Sequence, residues 1–332
     1  MMFVVFYILM KKKQITYFSK PKLKKPYLLA AWPGMGNVAS KAVEFLCEKL
    51  EPKEFAELSP EGFFHPHEAW IVDSQVETPR LPTGKFYYWK NSTGKNDLII
   101  FLCEAQPSLE KSYNYAQLVL DVASDFNVKK VFTFASMPMP IDHTQNSKVW
   151  ITATDKALMK GVSKFDAKPL NVGQISGLNG LLLSVAKERN MDGVCFLGEI
   201  PLYAIQIENP KATKAVLSVF AKLNGLKFEY KELDERIMIV EEEIEKLIDY
   251  FKSGVAQDPI SDEDVEDIKK TLAAVTKLPE SARAKIENLF RAAEIDLSKA
   301  NELKKELDRW NIYKDYEDRF LDLFKEGKKD NN

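Results

Sequence analysis

Cysteine, histidine and a charge of one sign are all scarce in this sequence. Its 332 residues include three cysteines and three histidines, and 47 basic side chains face 49 acidic ones, a formal net charge of -2. A balance so close to neutral offers no electrostatic footprint for nucleic acid, and none is expected as a partner. Basic residues are spread along the chain apart from Lys11 to Lys13 and a loose cluster from Lys20 to Lys25. Cys47, Cys103 and Cys195 lie far apart in apolar company. An odd number without short metal-ligand spacing argues against a disulfide framework or a zinc site. They read instead as small buried hydrophobes in a reducing cytoplasm. A membrane-spanning run is also missing. Met2 to Met10 is apolar, but it is about half the length needed to cross a bilayer. Its positive charges follow the apolar run instead of preceding it, the wrong layout for a secretory signal. Three readings of this start stay open: an upstream start codon with Met10 as the true first residue, a weak membrane contact, or an added core strand. No membrane is expected as a partner.

A hydrophobic share of 45% with 29% charged residues is that of a globular chain, with enough apolar surface to offset the entropy of ordering. Tyr27 to Trp32 is a short apolar run between Pro26 and Pro33, the pattern of a buried strand. After the turn Pro33 to Asn37, the positions Val38, Ala42, Phe45, Leu46 and Leu50 share one helical face. Further strands are predicted at Ala69 to Val72, Phe86 to Trp89, Leu98 to Cys103, Lys130 to Ala135, Val149 to Ala153 and Val194 to Leu197. Helical patterns cover Leu109 to Phe126, Leu178 to Arg189 and Pro210 to Leu223. Strands alternating with helices predict an α/β fold with a parallel or mixed sheet covered on both faces. From about Glu235 the strand-like runs stop and charged amphipathic helices take over. Ile237, Val240, Ile244, Leu247 and Phe251 form one stripe. Ser261 to Asp264 reads as the start of a helix continued by Val265, Ile268, Leu272 and Val275. Later stripes carry Ile286, Leu289, Phe290 and Ala293, then Leu297, Leu303, Leu307 and Trp310, then Tyr316, Phe320, Leu323 and Phe324. The expected division is an N-terminal segment 1–25, an α/β domain 26–234 and an all-helical extension 235–332.

Several short stretches could carry chemistry. Gly34-Met35-Gly36-Asn37-Val38-Ala39 fits the loose G-x-G-x-x-G/A pattern between a strand and a helix, where glycines let a backbone approach a pyrophosphate. No acidic residue ends a clear second strand downstream, and no G-K-[ST] exists, so a turn for tight strand–helix packing is the plainer reading. His65-Pro66-His67-Glu68 has the residue types of a metal site, but the proline forces an extended surface loop. His143 and Thr144 follow the strand from Lys130, where ligand sites gather in parallel sheets. His143 could carry a proton there, or anchor its loop by hydrogen bonds. Gly177 and Gly180 open a helix with a spacing that allows close approach of a backbone or ligand. Glu199 is a single carboxylate without a positioned partner, which does not make a general base. No catalytic constellation, cofactor or metal site is recognisable.

Taken in order, these stretches resemble one family. Ala31 to Ala39 resembles an opening F-P-G-x-G-N-V-G signature, and Leu81 to Tyr88 a P-x-x-x-F-Y stretch. Glu104-Ala105-Gln106-Pro107 is similar to a G/E-x-Q-P turn, and Pro140 to Thr144 to a P-H-T segment. Gly177 to Leu183 resembles G-x-x-G-L-L-L, and Glu199 to Tyr203 the x-x-P-H-Y end of a last strand. Across roughly Tyr27 to Leu247 the chain resembles a long prokaryotic or archaeal member of the proteasome assembly chaperone 2 family. That resemblance implies a three-layer α/β sandwich similar to the purine nucleoside phosphorylase fold, assembly as a homo-oligomer, and a chaperone or protein-binding role. The client would be proteasome-related or another protein. Fold alone carries no activity. The alternative is a nucleoside- or phosphate-like ligand, or an enzyme, with a pocket of Gly34, Gly36, Asn37, Gln106, His143, Thr144, Gly177, Gly180 and Glu199. Two departures stand out. Leu202 occupies the family's second histidine position, and Gly327 to Asn332 lack the hydrophobic–tyrosine–any-residue tail by which some archaeal members dock on proteasome rings. Docking by that route is not expected.

Overall fold

The computed structural model describes residues 14–65, 71–72, 74–255, 280–309 and 312–326. The apolar start Met2 to Met10, His67 and Glu68, the helix start at Ser261 and the tail from Gly327 lie outside the described residues.

The chain runs through β1 (Ile15–Tyr17), β2 (Tyr27–Ala31), α1 (Val38–Leu50), β3 (Lys53–Leu58), β4 (Ile71–Val72), β5 (Gln75–Val76), β6 (Gly84–Trp89), β7 (Leu98–Cys103) and α2 (Ser112–Asp125). It continues through β8 (Lys130–Met139), β9 (Val149–Ala153), α3 (Lys156–Val162), β10 (Ala167–Pro169), α4 (Leu178–Glu188), β11 (Asp192–Pro201) and α5 (Pro210–Asn224). Four further helices follow among the described residues: α6 (Lys231–Val255), α7 (Glu280–Ile295), α8 (Ala300–Arg309) and α9 (Tyr313–Glu326). Nine strands make one mixed sheet in the order β1-β3-β6-β7-β2-β8-β11-β9-β10. The expected strand at Ala69 to Val72 contributes, in its described part, only to a separate β4–β5 hairpin.

The sequence of β2 dictates its central place. Alternate residues of a strand face opposite ways, and in Tyr27 to Trp32 both sets are apolar. Leu28, Ala30 and Trp32 join the core with Phe101 of β7 and the helices α2 and α4. On the opposite face α1 and α5 pack together, and Phe220 of α5 sits edge-on to Phe132 and Phe134 of β8 at 5.4 and 5.5 Å. Helices therefore cover both faces of the sheet. β2 pairs in parallel with β7 on one side and β8 on the other. The connection leaving β2 runs to the β7 side, and the α2 crossover from β7 passes to the β8 side. The C-terminal end of β2 is thus a topological switch point, the place where open α/β sheets hold ligands. Cys103 and Cys195 are buried as expected, and burial pushes the Cys195 thiol up to about 12. Cys47 is only half-buried.

The described residues divide into two compact units. One takes in the chain up to Met137, Asn146–Glu199 and Asn209–Asp234; the other takes Pro138–Gln145, Ile200–Glu208 and the chain from Glu235. The helix α6 starts at Lys231. In the second unit Val240, Ile244 and Ile248 of α6 pack on Tyr203 and Ala204. Ile286, Phe290, Ala293, Leu303, Leu307, Phe320 and Leu323 of the later helices are buried, whereas Leu297 and Phe324 are exposed.

The last helices are clipped by a fork-shaped ion pair. Arg319 Nη1 and Nη2 donate to Glu287 Oε1 and Oε2 at 2.7 and 2.9 Å, and the guanidinium lies 4.1 Å from the Phe290 ring centre. The hydrogen bond from Arg319 holds the Glu287 carboxyl below its ordinary value. A depressed carboxylate stabilises the fold above its unfolded pKa, about 4.3, and that stabilisation is lost as pH falls through the folded value. Because the pair is partly exposed, it contributes no more than about 1 kcal/mol. Hydrogen exchange of α9 amides should therefore accelerate as pH drops below about 4, after correction for intrinsic rates. Glu287→Gln should remove that excess acceleration, and an unchanged acid response in the variant would contradict the assignment.

Candidate functional site

The turn after β2 occupies the switch point, and its geometry follows from where its backbone groups find partners. Trp32 is the first residue beyond the paired part of β2, so its N–H and C=O have no ladder partner on β7 or β8. The side-chain amide of Asn179 supplies both. Trp32 N donates to Asn179 Oδ1 at 3.0 Å, and Asn179 Nδ2 donates to Trp32 O at 2.9 Å. Trp32 and Asn179 are both buried. Asn179 thereby stands in for the peptide unit of a ladder partner.

The next five carbonyls are each taken by the protein itself. Pro33 O accepts from Gln106 Nε2 at 2.8 Å, and Gly34 O from Asn37 N at 2.9 Å. Met35 O accepts from Ser136 Oγ at 2.7 Å, at the end of β8. Gly36 O accepts from Asn209 N at 2.8 Å, just before α5, and Asn37 O from Ser40 Oγ at 3.1 Å. Gly36 and Asn37 hold successive left-handed conformations, with φ of 63° and 50°, which glycine and asparagine tolerate best. Gly34 is extended and exposed; a Cβ there would meet nothing closer than 3.7 Å.

Gln106 and the start of α4 complete this cluster. Gln106 Oε1 accepts from Leu178 N at 3.0 Å, so one side chain ties the turn after β2 to the first amide of α4. Gly177 has φ 76° and ψ -177°, a region that is essentially confined to glycine. Gly180 is required for a different reason: a Cβ there would lie 2.3 Å from the carbonyl oxygen of Ile175. Of the residues singled out from the sequence, Gly34, Gly36, Asn37, Gln106, Gly177 and Gly180 therefore meet at the switch point. Asn179, Ser136 and Asn209 join them and escaped sequence reasoning. Asn179 alone left a signal, a polar residue between two glycines at the head of an otherwise apolar helix.

Glu199 belongs to the same unit but to a different network. Its carboxylate is buried in β11, accepting from Trp150 Nε1 at 2.7 Å and Lys148 N at 3.4 Å. His143 and Thr144 lie in the second unit. Tyr203 Oη accepts the His143 backbone N–H at 2.7 Å and lies 2.8 Å from ring Nδ1, while Nε2 lies 3.1 Å from Glu245 Oε2 on α6. Asp142 Oδ1 is 3.3 Å from Nδ1 and accepts from Thr144 N and Oγ1. A carboxylate only accepts, so a hydrogen on Nε2 faces Glu245, while Nδ1 lies within reach of both the Tyr203 hydroxyl and the Asp142 carboxylate. The result is a Tyr203–His143–Glu245 chain that pins α6 to two separate segments of its unit. His65 is exposed, and no group of three metal-ligating side chains occurs among the described residues.

Substitutions at the switch point should separate the structural roles. Asn179→Ala leaves two buried backbone groups unpaired, each worth about 1–3 kcal/mol, so unfolding stability should fall by about 2–4 kcal/mol. Gly180→Ala should be similarly damaging, whereas Gly34→Ala should stay within about 0.5 kcal/mol of wild type. Urea titrations of the three variants check the ranking. Equal losses for Gly34→Ala and Asn179→Ala would contradict this geometry.

Comparison with known proteins places the chain. The PAC2 family model matches residues 28–248. An uncharacterized protein of Methanocaldococcus jannaschii is 28% identical over 271 residues, covering 80% of this chain and 98% of the relative. The crystal structure of Pyrococcus furiosus PbaB, an archaeal proteasome activator, superposes with a TM-score of 0.62 at 31% identity, over 70% of this chain and 97% of PbaB. Pyrococcus furiosus PbaA, an archaeal homolog of proteasome-assembly chaperone, shares the fold with a TM-score of 0.55 at 22% identity, over 70% and 96% of the two chains. The matched residues take in the whole switch-point cluster and the Tyr203–His143–Glu245 chain, and this protein belongs to the PAC2 family.

Proposed function

We propose that the chain is a non-enzymatic, oligomeric scaffold that binds protein clients in a chaperone-like way. The observation that carries this reading is the state of the switch point. Every carbonyl from Pro33 to Asn37 accepts a hydrogen bond from within the protein, from Gln106, Asn37, Ser136, Asn209 and Ser40, so the elements around the turn fix its path. Such a turn is a packed joint that fixes the surfaces around it. The relatives agree in kind: PbaB is an archaeal proteasome activator and PbaA a homolog of proteasome-assembly chaperone. The name of PbaB describes a protein that acts on a proteasome, and a proteasome-related client fits best. The layering would be that of the purine nucleoside phosphorylase fold without its chemistry. The working compartment would be the cytoplasm; no helix among the described residues is long and apolar enough to cross a membrane.

A second reading is favoured by one observation, the convergence of Gly34, Gln106, Gly177 and Gly180 on a single switch point. On that reading a nucleoside- or phosphate-like ligand sits against the turn, and the fold keeps a small-molecule role.

Native mass spectrometry of the full chain after gentle lysis separates the two. The scaffold reading expects a homo-oligomer with a co-purified protein that proteomics identifies. A small adduct released on activation would transfer the conclusion to the ligand reading, and a bare monomer would overturn both.

A further inference from the structure

The helix α6 has two faces with different chemistry. Val240, Ile244 and Ile248, four residues apart, face Tyr203 and Ala204, and Glu245 reaches His143. This inner face is fully engaged within its unit. The outer face carries Met238 and Ile239, which remain 63% and 47% exposed. One helical turn away in either direction, the neighbours of this pair include Glu235, Glu241, Glu242 and Glu243. Lys246 pairs with Glu242 at 2.6 Å and Arg236 with Glu208 at 3.6 Å, and acidic side chains still outnumber basic ones along this stretch of the helix. The bias is regional. From Glu235 onward the sequence has 25 acidic and 18 basic residues, although the whole chain is nearly balanced. The pattern recurs on α9, where Leu321 and Phe324 are 46% and 43% exposed beside Asp318 and Asp322.

We propose that the outer face of α6, centred on Met238 and Ile239, docks a partner-protein segment with an apolar centre and a lysine- or arginine-rich rim. The inference rests on the protein-binding reading above and names the chemistry of the partner. Met238 and Ile239 are adjacent and exposed on a helix whose other face is packed, so they form one contiguous apolar spot of the kind a partner covers, and the acidic surroundings select the sign of its rim. A second copy of the same face is a poor occupant, because a two-fold pairing would set glutamates against glutamates. An amphipathic basic helix laid along α6 would cover the apolar pair and neutralise the acidic surroundings.

The test uses the full-length protein and a fluorescein-labelled amphipathic peptide of lysine and leucine, about 18 residues long, or five helical turns. A matched peptide with serine in place of leucine keeps the charge and removes the apolar face. Fluorescence anisotropy should show binding of the lysine–leucine peptide that weakens as salt rises, with the serine peptide at least about tenfold weaker. Met238→Ser with Ile239→Ser should weaken binding about tenfold or more, and Glu242→Gln with Glu243→Gln several-fold. Because all four side chains are on the solvent side of α6, thermal unfolding of both variants should match wild type. Unchanged peptide affinity in both variants, or equal affinity for the serine peptide, would overturn the proposal while leaving the scaffold reading intact. A bare monomer in the native mass experiment would remove the scaffold reading whatever the peptide does.

Discussion

The two hydrogen bonds between the Asn179 side chain and the Trp32 backbone are the constraint on which the rest of the site depends. At Trp32 the central strand leaves the ladder, because its pairing to β7 ends at Ala31 and its pairing to β8 at Ala30 while both neighbours run on, to Cys103 and Met139. Two backbone groups would otherwise be buried without partners, at a cost of about 1–3 kcal/mol each. Asn179 removes that cost only if the first turn of α4 lies directly against the strand end. The segment leading into α4 in turn needs the glycine-only backbone at Gly177, and the missing Cβ at Gly180 makes room for Ile175 just ahead of the helix. Once α4 is seated, Gln106 can span from Leu178 N to Pro33 O and fix the turn that follows.

This chain of requirements explains why residues scattered over the sequence converge. The turn from Pro33 to Asn37 is read by Ser136 from β8, Asn209 ahead of α5 and Gln106 ahead of α2. Each takes one carbonyl, so the elements that meet at the switch point are located by hydrogen bonds as well as by apolar packing. A joint of this kind serves a protein that presents surfaces to other proteins, since rigidity at the centre fixes the geometry of the exterior. In the second unit, the Tyr203–His143–Glu245 chain performs the corresponding task for α6, aligning its inner face while Met238 and Ile239 stay outside.

Much of this was visible in the sequence where one physical rule acted alone. The β2 run between two prolines, the helix periodicity of α1, α2, α4 and α5, and the strand β7 all follow from apolar spacing. β3 is not legible in the sequence because it breaks the alternation rule. Its register shifts between Glu54 and Ala56, and the successive residues Phe55 and Ala56 are both buried. Such a bulge hides the period of two from a sequence reading. β8 and β11 extend beyond their apolar runs, to Met139 and Pro201. The α6 stripe read from the sequence includes the buried Val240 and Ile244, whereas its third buried position is Ile248, with Leu247 half-buried. Among site residues, glycines and Gln106 could be singled out by type and position. Glu245 could not, because it is one glutamate among several on α6, and only the folded chain shows that it faces His143.

Hydrogen exchange at the backbone amides of Met35 to Asn37 in the wild-type protein tests the central claim most directly. Exposed turns normally open at little cost and exchange fast. If the switch-point turn is a joint held from four sides, the Asn37 amide, bonded to Gly34 O, should exchange on the same slow timescale as the core amides of β2 and β7. Exchange at the rate of the β6–β7 hairpin loop would contradict that claim, because it would mean the turn opens without disturbing the elements bonded to it.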